Sequence, residues 1–222
     1  MHSTLTALLQ TTNNWSINID NGLLNGVLFV DLKKAFDRID HEIILRKVAN
    51  YGVDQSALRV FASYLRNRSQ KCSVDVALSS ASKLTCGVTQ GSILGPLLFL
   101  IYINNLPNCL DTSCAKMFAD DTNITVPGCT FAELEQATNS ELNNLYSWLK
   151  ANKLSLNIAK TEFMVISTSQ KFLAENCSEI NIQLDGHPIC RVEHATSLGL
   201  IIDDRLSWSN TSKNCAERYP RQ

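Results

Sequence analysis

Residues 115–125 read AKMFADDTNIT, and this stretch places two adjacent acidic residues, Asp120 and Asp121, between an apolar run and a β-branched run. The pattern predicts a β-hairpin with the aspartates at its turn. An Asp side chain readily hydrogen-bonds to its own backbone in a turn, so an Asp-Asp pair there is more often structural than functional. The pair therefore gains meaning only from other carboxylates that the fold brings to it.

A third carboxylate, Asp31, lies near the end of the apolar run Gly26–Leu32, which predicts a strand covered on both faces. Asp31 precedes Asp120 by 89 residues, so only the tertiary fold can bring them together. If the two strands are neighbours in one sheet, three carboxylates meet at its edge. They could then hold two divalent ions about 4 Å apart for phosphoryl transfer. Without metal, such a cluster raises the pKa of its members and destabilises the fold.

The composition is that of a globular protein. The chain has 222 residues, of which 45% are hydrophobic and 18% charged, enough to bury a core. Its formal net charge is −1, whereas a nucleic-acid enzyme is expected to carry a basic surface. The charge therefore predicts either a partner other than nucleic acid or basic parts that lie outside this chain.

The eight cysteines form no CxxC pair, and the four histidines are not at zinc-finger spacing from them, which argues against a zinc site. No secretory signal precedes the chain, so we expect reduced thiols in an intracellular protein of the nucleus or cytoplasm. The longest apolar run, Leu97–Ile103, is far shorter than the roughly 20 residues of a membrane span and predicts a buried helix.

In the first half of the chain, the signals that follow the predicted strand over Gly26–Leu32 indicate two helices. Residues 1–22 are weakly patterned, with turn signals at Asn13-Asn14 and at 20–22. Asp40 predicts the start of a helix over 41–50, and a second helix follows Asp54. Residues 71–86 predict two strands around a turn at 79–82. The basic residues Arg66, Arg68 and Lys71 are more often a solvated helix end than a phosphate site.

The second half alternates between strands and helices. A loop over 87–91 precedes a helix over 93–104, and a capping box at Thr130–Glu133 opens a long amphipathic helix that ends near Asn152. Residues 161–167 and 180–202 predict further strands, with a turn at Asp185-Gly186. Residues 209–222 carry no apolar period and predict a frayed tail. The order of elements predicts an α+β fold with helices packed on an antiparallel sheet.

Five segments in order along residues 26–208 resemble the motifs of reverse transcriptases. They are FVDLKKAFD at 29–37, TQGSILGP at 89–96, FADD at 118–121, LNIAKTEFM at 156–164 and LGLIID at 198–203. Each is weak alone, but the set is specific. The fourth segment and Leu-Ser-Trp at 206–208 are most similar to LINE-type (non-LTR) retrotransposon polymerases. The resemblance implies a polymerase palm and an RNA-directed DNA polymerase, a nucleotidyltransferase that adds dNMP to a primer 3′-hydroxyl.

The resemblance also implies the catalytic residues. Asp31, Asp120 and Asp121 would hold two Mg²⁺ ions, with Mn²⁺ as an alternative. One ion would activate the primer 3′-hydroxyl, and the other would hold the triphosphate. Lys160 would approach the pyrophosphate as a general acid, although taken alone it is far more often a surface lysine.

Substrate-binding residues follow from the same resemblance. Phe36 would lie against the sugar of the incoming dNTP, where its ring leaves no room for a 2′-hydroxyl; taken alone it is equally a core residue. Backbone N–H groups near Lys34 and Ala35 would bind the triphosphate. Gln90 and Gly91 would face the nascent base pair, although Gly91 alone is an ordinary loop glycine. The implied partners are an RNA template, a DNA primer and dNTPs, with no membrane.

The expected domain organisation is that of a fragment. Residues 1–22 would be a remnant of the fingers, 23–208 the palm with part of the fingers at about 46–86, and 209–222 a divergent tail. The family carries basic fingers before the first motif and a helical thumb after the last. Residues 209–215 do not resemble that continuation, so we expect partial fingers, no thumb and a truncated retroelement polymerase.

Three functional hypotheses follow. The first is an RNA-directed DNA polymerase. The second is a catalytically inactive remnant or a domesticated interaction module that retains the motifs. The third is another palm-fold enzyme, such as an RNA-templated RNA polymerase or a nucleotide cyclase, but Phe36 and Gln90-Gly91 fit deoxynucleotide polymerisation better.

Overall fold

The computed structural model describes residues 3–89, 91–174 and 180–208. Its helices are α1 (Thr4–Asp20), α2 (His41–Asn50), α3 (Gln55–Leu65), α4 (Leu94–Ile103), α5 (Phe131–Ala151) and α6 (Ser169–Ala174), with short 3₁₀ helices at Ala35–Arg38 and Leu106–Cys109. Its strands are β1 (Leu24–Val30), β2 (Ser69–Gln70), β3 (Ser73–Val74), β4 (Ala77–Leu78), β5 (Ser82–Lys83), β6 (Cys114–Phe118), β7 (Asp121–Gly128), β8 (Glu162–Ile166), β9 (Gln183–Leu184), β10 (His187–Pro188), β11 (Cys190–Arg191), β12 (His194–Ser197) and β13 (Leu200–Asp203). The chain divides into two compact units: the first comprises residues 1–32, 107–147 and 156–222, and the second comprises 33–106 and 148–155.

The first unit is built on a five-stranded sheet with the order β11-β8-β1-β7-β6. β1 lies at its centre and pairs antiparallel with both β7 and β8, and only β11 runs parallel to its neighbour. All seven residues of β1 are buried, which confirms a strand covered on both faces. The predicted α+β fold with a mainly antiparallel sheet is confirmed.

Helix α5 packs very closely against one face of this sheet. A Cβ on Gly26 would lie 2.9 Å from Cδ1 of Leu134, and a Cβ on Gly128 would lie 3.1 Å from the Leu134 Cα. The first distance is shorter than real Cβ contacts and the second is tighter than most of them, so the two glycines form a notch for Leu134. The leucines of α5 are buried, as expected for the inner face of an amphipathic helix. Its first turn is capped by Thr130, whose Oγ1 accepts from the Glu133 N–H (3.2 Å).

The opposite face of the sheet is covered by α1 and the β12–β13 hairpin. Their shared core is Leu8, Trp15, Val27, Phe29, Met164, Ile166, Ala195 and Ile202. Ser3 begins α1 with a reciprocal capping box. The turn signal at Asn13-Asn14, in the weakly patterned segment 1–22, was therefore wrong. Both residues lie inside a 17-residue helix. Tertiary bonds stabilise it: Trp15 Nε1 donates to Thr125 Oγ1 (2.8 Å), and Asn25 Nδ2 donates to the Trp15 carbonyl (3.1 Å).

The loop before β6 is held by one buried carboxylate on α5. Oε1 of Glu141 accepts from the N–H groups of Thr112 (2.7 Å) and Ser113 (3.0 Å) and from Oγ1 of Thr112 (3.0 Å). Its Oε2 accepts from the Asp111 N–H (3.1 Å). These bonds fix the chain immediately before the strand that leads to the 119–120 turn.

The second unit contains α2, α3, α4 and an exposed β-rich arm. Asp40 caps α2 as predicted, accepting from the N–H groups of Glu42 and Ile43 (both 3.0 Å). The helix expected after Asp54 is present as α3. In the arm, β2 pairs with β5 and β3 with β4. The turn predicted at 79–82 was wrong, because the inner hairpin reverses at 75–76, where Asp75 takes a left-handed conformation (φ 51°).

The remaining sequence predictions have mixed outcomes: some are confirmed, and others stay untested. The Asp185-Gly186 turn is present between β9 and β10, but α6 was not predicted. The frayed tail at 209–222 falls outside the described residues. Within the described residues, the six cysteines are free, and no helix is long and apolar enough to cross a membrane. The proposed division into fingers, palm and tail stays a prediction.

Candidate functional site

Three carboxylates meet where β1 ends and β7 begins. Val30 pairs with Thr122 across these strands, so Asp31, which follows Val30, and Asp121, which precedes Thr122, lie at the same edge. Phe118 pairs with Asp121, which leaves Ala119 and Asp120 as a two-residue turn. The sheet therefore makes neighbours of the two strands that carry the predicted carboxylates.

Electrostatic effects on Asp121 show that the three carboxylates interact. Partial burial, the charge of Asp120 and the charge of Asp31 all raise the pKa of Asp121 above its usual range. The backbone N–H of Leu198, in the turn between β12 and β13, opposes that shift. Asp120 and Asp121 are exposed, so a ligand can reach them from solvent.

The donor chemistry of this edge suits a hard divalent cation, because all three side chains offer carboxylate oxygens. Within the described residues, however, no group of three or more His, Cys, Asp or Glu side chains is arranged to hold one metal ion together. Mg²⁺ ordinarily binds through one or two carboxylates and completes its shell with water and substrate phosphates. The donor chemistry of this edge therefore suits Mg²⁺ bound through one or two of these carboxylates.

Asp31 is held by a turn that follows α5 in the chain. Asn157 Nδ2 donates to Asp31 Oδ2 (2.7 Å), and the Asn157 N–H donates to the Asp31 carbonyl (2.8 Å). The Asp31 N–H donates to Oγ1 of the buried Thr161 (3.3 Å). Lys160 is exposed on this turn, and its N–H donates to the Asn157 carbonyl (3.0 Å).

Asn157 was missed as a functional candidate, although it lies in the quoted segment LNIAKTEFM. The sequence signal for Asn157 was an amide side chain placed between Leu156, which is buried, and the turn that precedes β8. That signal is weak, because its partner lies 126 residues away in sequence.

In the second unit, the structure places Lys34, Ala35 and Phe36 at the 3₁₀ helix. Lys34 takes a left-handed conformation (φ 49°), and the first hydrogen bond of the helix runs from the Asp37 N–H to its carbonyl (2.9 Å). The N–H groups of Lys34 and Ala35 precede that bond, as helix-terminal donors do. The Phe36 ring stacks on Phe99, with centroids 4.6 Å apart.

The loop before α4 is organised around Ser92. Its hydroxyl accepts from Tyr64 (2.7 Å) and from the Gly95 N–H (3.0 Å), and donates to the Thr89 carbonyl (2.7 Å). Gly91 takes φ 78°, a conformation that favours glycine. Gln90 lies outside the described residues.

Charge is distributed very unevenly between the two units. The second unit contains 12 Lys and Arg residues against 5 Asp and Glu, a net charge of +7. The rest of the chain contains 8 against 16, a net charge of −8. The net charge of −1 thus conceals a strongly basic unit, and the expectation of basic parts outside this chain stays a prediction.

Comparisons with known proteins agree on one family. The family model described as "Reverse transcriptase (RNA-dependent DNA polymerase)" matches residues 2–189. Two relatives from Drosophila melanogaster are the "Probable RNA-directed DNA polymerase from transposon BS", 27% identical over 98% of this chain, and the "RNA-directed DNA polymerase from mobile element jockey", 25% identical over 86%. The chain spans about a quarter of the first relative's length and a fifth of the second's.

A solved structure supports the fold. A telomerase from Candida tropicalis, determined with a fragment of telomeric RNA, superposes with a TM-score of 0.60 at 12% identity. The match covers 92% of this chain and 32% of the telomerase chain. At this identity the similarity concerns the fold alone.

Proposed function

Since this chain belongs to the reverse transcriptase (RNA-dependent DNA polymerase) family, we propose that it supplies the catalytic palm of a non-LTR retroelement polymerase. The reaction is RNA-directed transfer of dNMP to a primer 3′-hydroxyl. The observation that carries this proposal is the meeting of Asp31, Asp120 and Asp121 at the adjoining ends of β1 and β7. The family assignment argues against an RNA-templated RNA polymerase or a nucleotide cyclase.

Asp31, Asp120 and Asp121 would hold the divalent cations of this reaction. Bound there, Mg²⁺ or Mn²⁺ would neutralise the triphosphate and lower the pKa of the primer hydroxyl. Burial and the charges of Asp120 and Asp31 raise the pKa of Asp121, and this supports the role because a bound cation would offset both effects. Lys160, exposed on the turn that holds Asp31, would donate a proton to the leaving pyrophosphate.

RNA template and DNA primer are the proposed macromolecular partners, and the basic second unit supports them. A net charge of +7 favours binding to phosphate backbones through release of counterions. The four cations of the exposed arm and its base, Arg66, Arg68, Lys71 and Lys83, are part of this charge.

Nucleotide selection is assigned to residues of the second unit. Phe36 would exclude the 2′-hydroxyl. Its ring stacks on Phe99, and a hydrogen bond from the Val88 N–H to the Phe36 carbonyl (3.0 Å) holds its main chain. Backbone N–H groups near Lys34 and Ala35 would bind the triphosphate, as turn amides do for anions. Gln90 and Gly91 would face the nascent base pair.

Primer extension tests this function directly. The substrates are an RNA template, an annealed DNA primer, dNTPs and Mg²⁺. Two proteins are compared: the chain alone, and the jockey polymerase in which this chain replaces the matching segment. We expect extension by the second protein and its loss in Asp120→Asn, because that substitution removes a carboxylate ligand.

Asp185→Asn is the matched control, since Asp185 also lies in an exposed two-residue turn and Asn tolerates its left-handed conformation (φ 51°). Extension that survives Asp120→Asn would refute the metal assignment. Absence of product from both proteins would favour the alternative, an inactive remnant or a domesticated interaction module.

A further inference from the structure

We propose that Asn157 is a positioning residue, whose side-chain amide orients the Asp31 carboxylate for metal binding. This inference rests on the proposed metal role of Asp31. It assigns to the 157–161 turn a function besides carrying Lys160. The turn prepares the carboxylate before the cation arrives.

The hydrogen bonds divide into a backbone set and a single side-chain bond. Asn157 N–H to Asp31 carbonyl (2.8 Å) and Asp31 N–H to Thr161 Oγ1 (3.3 Å) are enough to hold the main chain after β1. The bond from Asn157 Nδ2 to Asp31 Oδ2 (2.7 Å) acts only on the carboxylate. Removing this amide therefore frees the side chain of Asp31 while the backbone contacts remain.

The charge environment explains why Asp31 needs such a donor. Asp31 and Asp121 lie beside each other at the adjoining ends of β1 and β7, so their like charges repel each other when no cation is present. Repulsion favours side-chain rotamers that move the carboxylates apart. A short amide-to-carboxylate bond opposes that movement, and the second Asp31 oxygen can still bind a metal.

The chain offers a matched control for this bond. Asn144 Nδ2 donates to Asp111 Oδ2 (2.9 Å), which is the same chemistry in the same unit, between a helix and a loop. Neither residue is assigned to the site. Asn144→Ala therefore measures the general effect of losing an Asn-to-Asp hydrogen bond.

The test is a titration of the full chain with Mn²⁺, followed through the electron paramagnetic resonance signal of the free ion. Loss of a residue that orients a metal ligand typically weakens metal binding about 10- to 100-fold. We expect a loss of that size in Asn157→Ala and in Asn157→Leu, which keeps the side-chain volume. Asn144→Ala should change the dissociation constant less than about twofold, and Asn157→Gln, which keeps the donor, should recover part of the loss.

Circular dichroism establishes that each variant folds, and Asn157→Leu replaces Asn157→Ala if the latter does not. Unchanged Mn²⁺ affinity in both variants, with weakened binding in Asp31→Asn, would overturn the role of Asn157 and leave the proposed function intact. A wild-type chain whose Mn²⁺ binding is indifferent to Asp31→Asn would overturn both. In the extension assay, a positioning role predicts a lower kcat with the KM for template-primer unchanged.

Discussion

Replacing Glu141 by Gln should destabilise the first unit substantially, because Glu141 is 2% exposed and accepts four hydrogen bonds from residues 111–113. A Gln oxygen could keep the three donors that meet Oε1, but these bonds would no longer be charge-assisted. The Gln NH₂ would face the Asp111 N–H, which leaves that donor unpaired. Hydrogen bonds to charged groups contribute about 1 kcal/mol more than neutral ones, and an unpaired buried donor costs about 1–3 kcal/mol. We expect a loss of about 2–4 kcal/mol in the free energy of unfolding at pH 7.

The same carboxylate makes this loss depend on pH. The hydrogen bonds from Thr112, Asp111 and Ser113 outweigh the effect of burial and hold the pKa of Glu141 below its usual value of 4.5. Because the folded pKa is the lower one, the stabilisation is fully present above the unfolded pKa and is lost as pH falls through the folded pKa. The difference between wild type and Glu141→Gln should therefore be constant from pH 7 to about 5.5 and shrink below about 4.5.

Urea unfolding followed by circular dichroism at several pH values measures both effects. Glu135→Gln is the control, since half-buried Glu135 accepts one hydrogen bond, from the Asn181 N–H (3.1 Å). If Glu141→Gln is as stable as Glu135→Gln, or if its defect is the same at pH 7 and pH 3.5, the carboxylate does not anchor the loop.

Two further predictions concern the second unit. Phe36→Val should lower the ratio of kcat/KM for dNTP to that for the matching rNTP, because the smaller side chain admits a 2′-hydroxyl; an unchanged ratio would remove Phe36 from sugar selection. Gly95→Ala should lower stability by about 1–3 kcal/mol, since its Cβ would lie 2.8 Å from the Thr89 carbonyl oxygen and 2.9 Å from Ser92 Oγ. Thermal unfolding measures this loss, and a variant as stable as wild type would show that the loop adapts without strain.

The sequence correctly predicted those elements whose signals come from neighbouring residues. The Asp40 cap, the apolar run of β1 and the periodicity of α5 each lie within a few residues, and all three are present. α1 was missed because its stability depends on distant partners, such as Thr125, which accepts from the Trp15 ring 110 residues away. Asn13-Asn14 disfavours a helix locally, and burial of Leu8 and Trp15 overrides that preference.

The candidate site likewise contains residues that the sequence predicted and a residue that only a tertiary contact reveals. Asp31, Asp120 and Asp121 were predicted from strand ends and motif wording, and the sheet order confirms that their strands are neighbours. Asn157 was not found, since the hydrogen bond that gives it meaning is a tertiary contact. The basic unit was also missed, because a net charge sums over residues that the fold separates.

The notch formed by Gly26 and Gly128 around Leu134 has an evolutionary consequence. A side chain at either glycine would crowd α5, and at Gly128 the crowded atoms include the Leu134 backbone, which no rotamer change can move aside. A mobile-element copy that drifts without selection should lose these codons as fast as any others. A lineage that still needs a folded palm should keep them, or should change position 26 only together with a smaller residue at 134. Comparing these three codons among copies of the element would therefore reveal purifying selection on the fold.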